Sequence, residues 1–246
     1  MTGVQTCALP ICLTKRYKDV LAVDSLSLNI EVGELVSLLG INGAGKTTTI
    51  KMLSCLSDPT EGDAYLHGKS IRTEKAAVKS LIAVSPQETA VAQGLSVYEN
   101  LALICGAHGF TKEKREKKIG ELSSLLGLGE VMKRRAGKLS GGWQRRLSIA
   151  MALISEPKIL FLDEPTLGLD VIARSELWDI IRALKGKVTV ILTTHYMEEA
   201  EALSDRIAIM KGGRLLVCDS ADNIKASTGA KSFEEAFIIT VKEVVK

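Results

Sequence analysis

The chain has 246 residues, 46% hydrophobic, 25% charged and only 4% aromatic, proportions that exclude a disordered, collagen-like or disulfide-scaffold protein. Its length predicts one large domain, or one domain carrying an inserted subdomain. With 32 basic and 29 acidic side chains the charge is too balanced to point to nucleic acid, and five cysteines without a C-x-x-C pair fit a reducing compartment.

Residues 1–11 (MTGVQTCALPI) carry no charge and no clear period, and they lack the basic and apolar regions of a secretory signal. The string resembles the conceptual translation of a sequencing-library adapter. It is therefore expected to be a non-native segment outside the fold, standing where a natural first strand would be. Alternation around Leu26, Leu28 and Ile30 predicts a half-buried strand. Residues 35–39 form a short apolar run suited to a strand covered on both faces. That run enters a glycine-rich stretch, residues 40–45, and then a helix-compatible stretch over 47–56. Residues 58–62 read as a turn, and residues 81–84 as a strand ending at Ser85-Pro86-Gln87. From about 96 to 154 the spacing turns helical, with Val97, Leu101 and Ile104 on one face and residues 112–118 on a solvated one. Strands return at 159–162, 188–194 and 207–210, with a helical pattern over 173–184 between them. Strands alternating with helices predict an α/β fold with a mostly parallel sheet. No apolar run approaches 18 residues, so nothing in the sequence is expected to span a membrane.

Gly40-Ile41-Asn42-Gly43-Ala44-Gly45-Lys46-Thr47 matches the phosphate-loop pattern G-x-x-x-x-G-K-[ST], and Thr48 continues it. Glycines let successive amides turn inward around an anion, and the helix that follows offers its positive end to the same phosphates. Lys46 is expected to reach the β- and γ-phosphates, with the Thr47 hydroxyl on Mg²⁺. The strand at 159–162 ends in Asp163 and Glu164, on the side of an open sheet where ligands sit. Asp163 is expected to hold Mg²⁺, and Glu164 to activate the attacking water as general base. Either motif alone has an ordinary structural reading. Together they describe a nucleoside-triphosphate hydrolase.

Leu139-Ser140-Gly141-Gly142-Trp143-Gln144, just ahead of the 159–162 strand, resembles the signature motif of ATP-binding-cassette (ABC) ATPases. Ser140, Gly141 and Gly142 at a helix start would form a second anion cradle, although an isolated Ser-Gly-Gly is more often a plain helix cap. One nucleotide does not need two cradles from one chain, which suggests a head-to-tail dimer with ATP sandwiched between subunits. The resemblance covers about residues 13–216 and implies the same arrangement. It further implies that Gln87, which could otherwise be an ordinary exposed loop amide, senses Mg²⁺, the γ-phosphate and the partner. Asp170, in Pro165-Thr166-Leu167-Gly168-Leu169-Asp170, would be an interface acid or simply a helix cap. His195 would be the switch histidine, and Tyr17 the aromatic stacked on adenine. Trp143 departs from the family's usual glutamine.

The resemblance implies a P-loop NTPase (RecA-like) core with an antiparallel β part and an inserted α-helical subdomain. The expected layout is an ATPase domain over 13–219, with its core at 13–88 and 155–219, the helical subdomain at about 89–154, and a tail at 220–246. Residues 193–201 and 211–214 resemble drug-resistance and ABC-2 exporter ATPases. This predicts an ATP- and Mg²⁺-dependent transport ATPase, pairing as a homodimer or with a second ATPase subunit. It would sit at the cytoplasmic face of the membrane through a separate membrane-spanning permease subunit, with no nucleic acid bound. The alternative is an ABC-type ATPase acting on ribosomes or DNA; a regulatory module without turnover is disfavoured by the presence of both Glu164 and His195. Residues 233–237 are expected to form a short amphipathic helix that packs on the core.

Overall fold

The computed structural model describes residues 6–243. The first layer is antiparallel. β1 (Thr6–Tyr17) turns tightly into β2 (Val20–Leu26) and also pairs with the short β3 (Ile30–Glu31). The alternation over residues 26–30 is thus two strands instead of one. The chain breaks between them where the Leu28 amide donates to the Pro10 carbonyl and the Ser27 hydroxyl accepts from the Cys12 amide.

Residues 6–11 differ from the expectation for them: the structure builds them into β1. Cys7 and Ala8 are fully buried, and Ala8 pairs with both Ile30 and Leu66. The physical reason is general. Backbone pairing needs no particular side chain, and small neutral ones fit a covered slot without leaving a buried charge. Residues 1–5 lie outside the described part of the chain.

β4 (Leu35–Leu39) is buried at every position and leads through the glycine loop into α1 (Lys46–Leu53). That helix ends earlier than its pattern suggests, because the Ser54 hydroxyl bonds back to the Ile50 carbonyl and Cys55 adopts a left-handed φ of +56°. β5 (Glu61–Leu66) and β6 (Lys69–Ser70) complete the antiparallel sheet, and α2 (Lys75–Leu81) leads into β7 (Ile82–Ser85). The helical stretch follows as α3 (Val97–Ala107), α4 (Lys112–Leu125) and α5 (Gly141–Leu153). A capping box between Ser96 and Glu99 sets where α3 begins.

β8 (Ile159–Asp163), α6 (Val171–Leu184), β9 (Thr189–Thr194), α7 (Met197–Leu203) and β10 (Arg206–Lys211) then alternate as expected. β11 (Arg214–Asp219), α8 (Ala221–Thr228) and α9 (Phe233–Glu243) close the described chain. The second sheet runs β11-β10-β4-β9-β8-β7, parallel throughout except for β11.

Period-two alternation divides the interior. On β8, Leu160 and Leu162 face the helical side, where Val97, Leu101 and Leu147 pack. Ile159 and Phe161 face α1 and the antiparallel layer. Phe161 is fully buried, and covering such a side chain contributes about 1.5–3 kcal/mol. The C-terminal helices are docked onto this core: Phe233 and Ala236 pack with Leu39, Ile207 and Ile209, and α8 and α9 both lie against the edge strand β11. At the other edge β7 is only four residues long. No helix among the described residues is long and apolar enough to cross a membrane.

Candidate functional site

β4, β8 and β9 end side by side, and a cavity of about 650 Å³ lies beyond their carboxyl ends. Its floor is the glycine loop. Gly45 sits at φ +99°, and a side chain there would come within 2.5 Å of the Ala22 carbonyl, so β2 presses directly on the loop. Among the described residues the amides of Gly43, Gly45, Lys46 and Thr47 have no backbone partner. These amides line the same cavity. A ring of unpartnered N–H groups at a helix start is the chemistry of a polyphosphate cradle.

Lys46 is 5% exposed. Its Nζ donates to the Gly40 carbonyl at 2.6 Å and the Ile41 carbonyl at 3.3 Å, and lies 3.5 Å from Glu164 Oε1. Glu164 Oε2 is in turn 2.6 Å from His195 Nδ1. Cation, carboxylate and imidazole therefore form one continuous chain along the cavity wall.

The two acids at the end of β8 are turned to different neighbours. Asp163 Oδ1 accepts from the Thr47 hydroxyl at 3.1 Å and from the Thr193 hydroxyl at 2.5 Å. Glu164 adopts a left-handed φ of +49°, held there by its amide, which donates to the Thr193 carbonyl and hydroxyl oxygens at 3.1 and 3.0 Å. That turn carries its carboxylate toward Lys46 and His195. The Thr47 hydroxyl and the Asp163 carboxylate, with the Gln87 side chain on the same cavity wall, are the hard oxygen donors that Mg²⁺ prefers.

Gly40 closes the loop against Met210, while Asn42, Ala44 and Thr48 line the cavity with the residues already named. Ser140, Gly141 and Gly142 do not. They begin α5 outside that lining, Gly142 buried and Gly141 facing a neighbouring hollow, and the Ser140 side chain makes no cap hydrogen bond. Trp143 is half-buried in the apolar core beneath the Arg146 guanidinium, so the departure from glutamine is absorbed by packing. Asp170 caps α6, its Oδ1 accepting from the Ala173 amide at 2.9 Å. Tyr17 lies apart from the cavity lining; Lys15 sits over its ring, and its hydroxyl lies 3.5 Å from Ser57 Oγ. Val20, Leu21 and Ala22 of the same hairpin line the wall instead.

A model of the ABC transporter family matches residues 23–167, more than half of the chain, from within β2 to Leu167 just past Glu164. The chain belongs to the ABC transporter family. It is 41% identical over 219 residues to the daunorubicin/doxorubicin resistance ATP-binding protein DrrA of Streptomyces peucetius, a match covering 89% of this chain and 66% of that one. It is also 41% identical over 213 residues to the human phospholipid-transporting ATPase ABCA3, covering 87% of this chain but only 12% of that protein. Among solved structures, a dimeric ATP-binding cassette in a post-hydrolysis state, bound to ADP and Pi, superposes with a TM-score of 0.77 at 28% identity. That match covers 87% of this chain and 98% of the other.

Three residues of this ABC cassette escaped the sequence reading. Thr193 organises both acids, yet it reads as one more strand threonine. Glu199 is fully buried behind the site; burial pushes its carboxyl above the usual range, and its Oε1 accepts from Trp178 Nε1 at 3.2 Å. Arg145 is buried in α5, where burial lowers its guanidinium from the ordinary value and Asp163 and Glu199 pull it back. Thr193→Val keeps the shape and removes the hydroxyl that serves both acids. It is expected to cost about 1–3 kcal/mol, because the Asp163 carboxylate and the Glu164 amide each lose a buried partner. Urea unfolding with an unchanged slope checks this.

Proposed function

We propose that this chain is the ATP-binding and ATP-hydrolysing subunit of an ABC transporter of exporter type. Two copies, or this chain and a second ATPase subunit, would close around two ATP and drive a separate membrane-spanning permease from its cytoplasmic face. One observation carries the reading. The cradle, Lys46, Glu164 and His195 meet in one cavity, while Ser140–Gly142 lies outside its lining and Gly141 faces a neighbouring hollow. A nucleotide seated in the cradle would then be met by the signature of a second copy. The drug-resistance proteins among the relatives and the dimeric cassette with ADP and Pi support the exporter and the sandwich respectively.

The geometry supports the following roles. The loop amides and Lys46 hold the β- and γ-phosphates, and Thr47, Asp163 and Gln87 would hold Mg²⁺, which when bound neutralises charge on those phosphates. Glu164 takes the proton of the attacking water at a carboxylate oxygen. His195, 2.6 Å away, fixes that carboxylate and stands at the γ-phosphate end of the cavity. Asp170 and Ser140–Gly142 face the second copy. Val20 to Ala22 form the wall nearest the base; Tyr17 would reach it by swinging away from Ser57. The helical stretch at about 89–154 is the unit that receives the permease.

Gly141→Asp tests the composite site. Its Cβ would meet only Leu169 at 3.5 Å, an ordinary contact, so the fold is kept. ATP should bind as in the wild type, while hydrolysis falls by roughly 10²-fold, since a negative charge replaces an anion cradle. Mixing Gly141→Asp with Lys46→Ala rebuilds one intact composite site per heterodimer and should restore turnover. A mixture as inactive as its components would overturn the shared site.

A further inference from the structure

Gln87 and Leu167 are walls of two hollows at once: the Lys46 cavity, and a neighbouring one of about 440 Å³ that Gly141, Gln144 and Arg145 also line. Arg145 closes the gap between them. It is 5% exposed, and each arm of its guanidinium meets a different carbonyl, Nη1 donating to Pro86 at 2.6 Å and Nη2 to Gln87 at 2.6 Å. One turn further along α5, Ser148 Oγ lies 2.9 Å from Ser85 Oγ, both buried. One residue before Arg145, Gln144 Oε1 lies 3.5 Å from the Thr89 hydroxyl. One face of α5 therefore grips the whole 85–89 segment.

Arg145 forms no ion pair among the described residues; its hydrogen bonds go to two neutral carbonyls, and Asp163 and Glu199 act on its charge only from farther away. Burying a cation this way is costly, and an apolar side chain of similar volume would fill the space more cheaply. What arginine adds is a rigid fork, two donors at fixed spacing that hold consecutive carbonyls in one orientation, which lysine cannot imitate. The held loop carries Gln87, and the holding helix begins at Ser140–Gly142, with Gly141 facing the second hollow.

We propose that Arg145 is a positioning residue that locks the Gln87 loop to the signature helix, so that Gln87 beside one nucleotide and the signature over the other move as a single body. This rests on the reading of Gln87 and Ser140–Gly142 given above.

The test is a double-mutant cycle on the full chain, with kcat and KM for ATP measured for wild type, R145M, R145K, Q87A and R145M/Q87A. Misplacing a catalytic group by about 1 Å costs on the order of 10²-fold, and R145M is expected to lose kcat on that scale with KM unchanged. R145K should recover only part of the loss. In the Q87A background R145M should add little, because its effect passes through Gln87. Multiplicative losses in the double variant, or full activity in R145K, would overturn the lock. If R145M does not fold, R145K with Q87A carries the same cycle. Amide exchange of the segment 86–91 needs no turnover: the arginine variants should lose protection there, and unchanged exchange would also overturn the proposal. A wild-type chain without ATPase activity would instead count against the proposed function, and the exchange measurement would still decide the lock.

Discussion

Lys46→Ala is expected to lower ATP turnover by roughly 10²–10³-fold, the scale on which a preorganised electrostatic stabiliser acts. Lys46 is buried, and its ammonium is anchored by two carbonyls at 2.6 and 3.3 Å, so it stands ready before any phosphate arrives. Removing it takes away the one lysine or arginine within bonding distance of Glu164 among the described residues. It also leaves the Gly40 and Ile41 carbonyls without that donor. Phosphate release under saturating ATP measures the effect, and thermal unfolding without nucleotide separates loss of charge from loss of fold. Wild-type turnover in this variant would exclude the cavity as the site of hydrolysis.

Glu164→Gln should bind ATP yet hydrolyse it about 10²–10⁴-fold more slowly, the usual contribution of a positioned general base. The amide keeps the shape of the carboxylate and still offers an oxygen to His195, so the cavity is preserved. It cannot accept the water's proton. It also ends the attraction between Glu164 and Lys46, freeing the ammonium for the γ-phosphate. Bound ATP is then not consumed, and the variant should accumulate as a dimer by light scattering with ATP and revert to monomer with ADP. A monomer at saturating ATP would refute the sandwich.

The site was legible where chemistry constrains residue type over a short span. Only glycines tolerate the loop's positive φ angles and close approaches, so residues 40–47 declare themselves. Asp163 and Glu164 declare themselves by ending an apolar strand beside that loop. The partners that orient these groups come from distant segments: Thr193 reaches Asp163 across neighbouring strands, and Arg145 reaches Gln87 from another helix. No local pattern marks such pairs. The antiparallel layer was the least legible part of the fold. β1 depends on pairing with three separate partners, and its first half has a neutral composition with no strand signature. Tyr17 shows the same limit, since a one-dimensional position near the cavity does not say that Ser57 and Lys15 will hold its ring aside.

The placement of α8 and α9 bears on how the molecule behaves in a crowded solution. An open parallel sheet ends in a row of unpaired backbone groups, a template on which another chain can grow fibril-like contacts. Here the β11 margin is lined by both C-terminal helices, and Lys211 ties the Val241 carbonyl of α9 to the sheet at 2.6 Å. The β7 margin offers only four residues before the chain turns away. Copies of this protein are therefore hindered from fusing along the margins of the parallel sheet, so contacts made elsewhere on the surface can stay reversible.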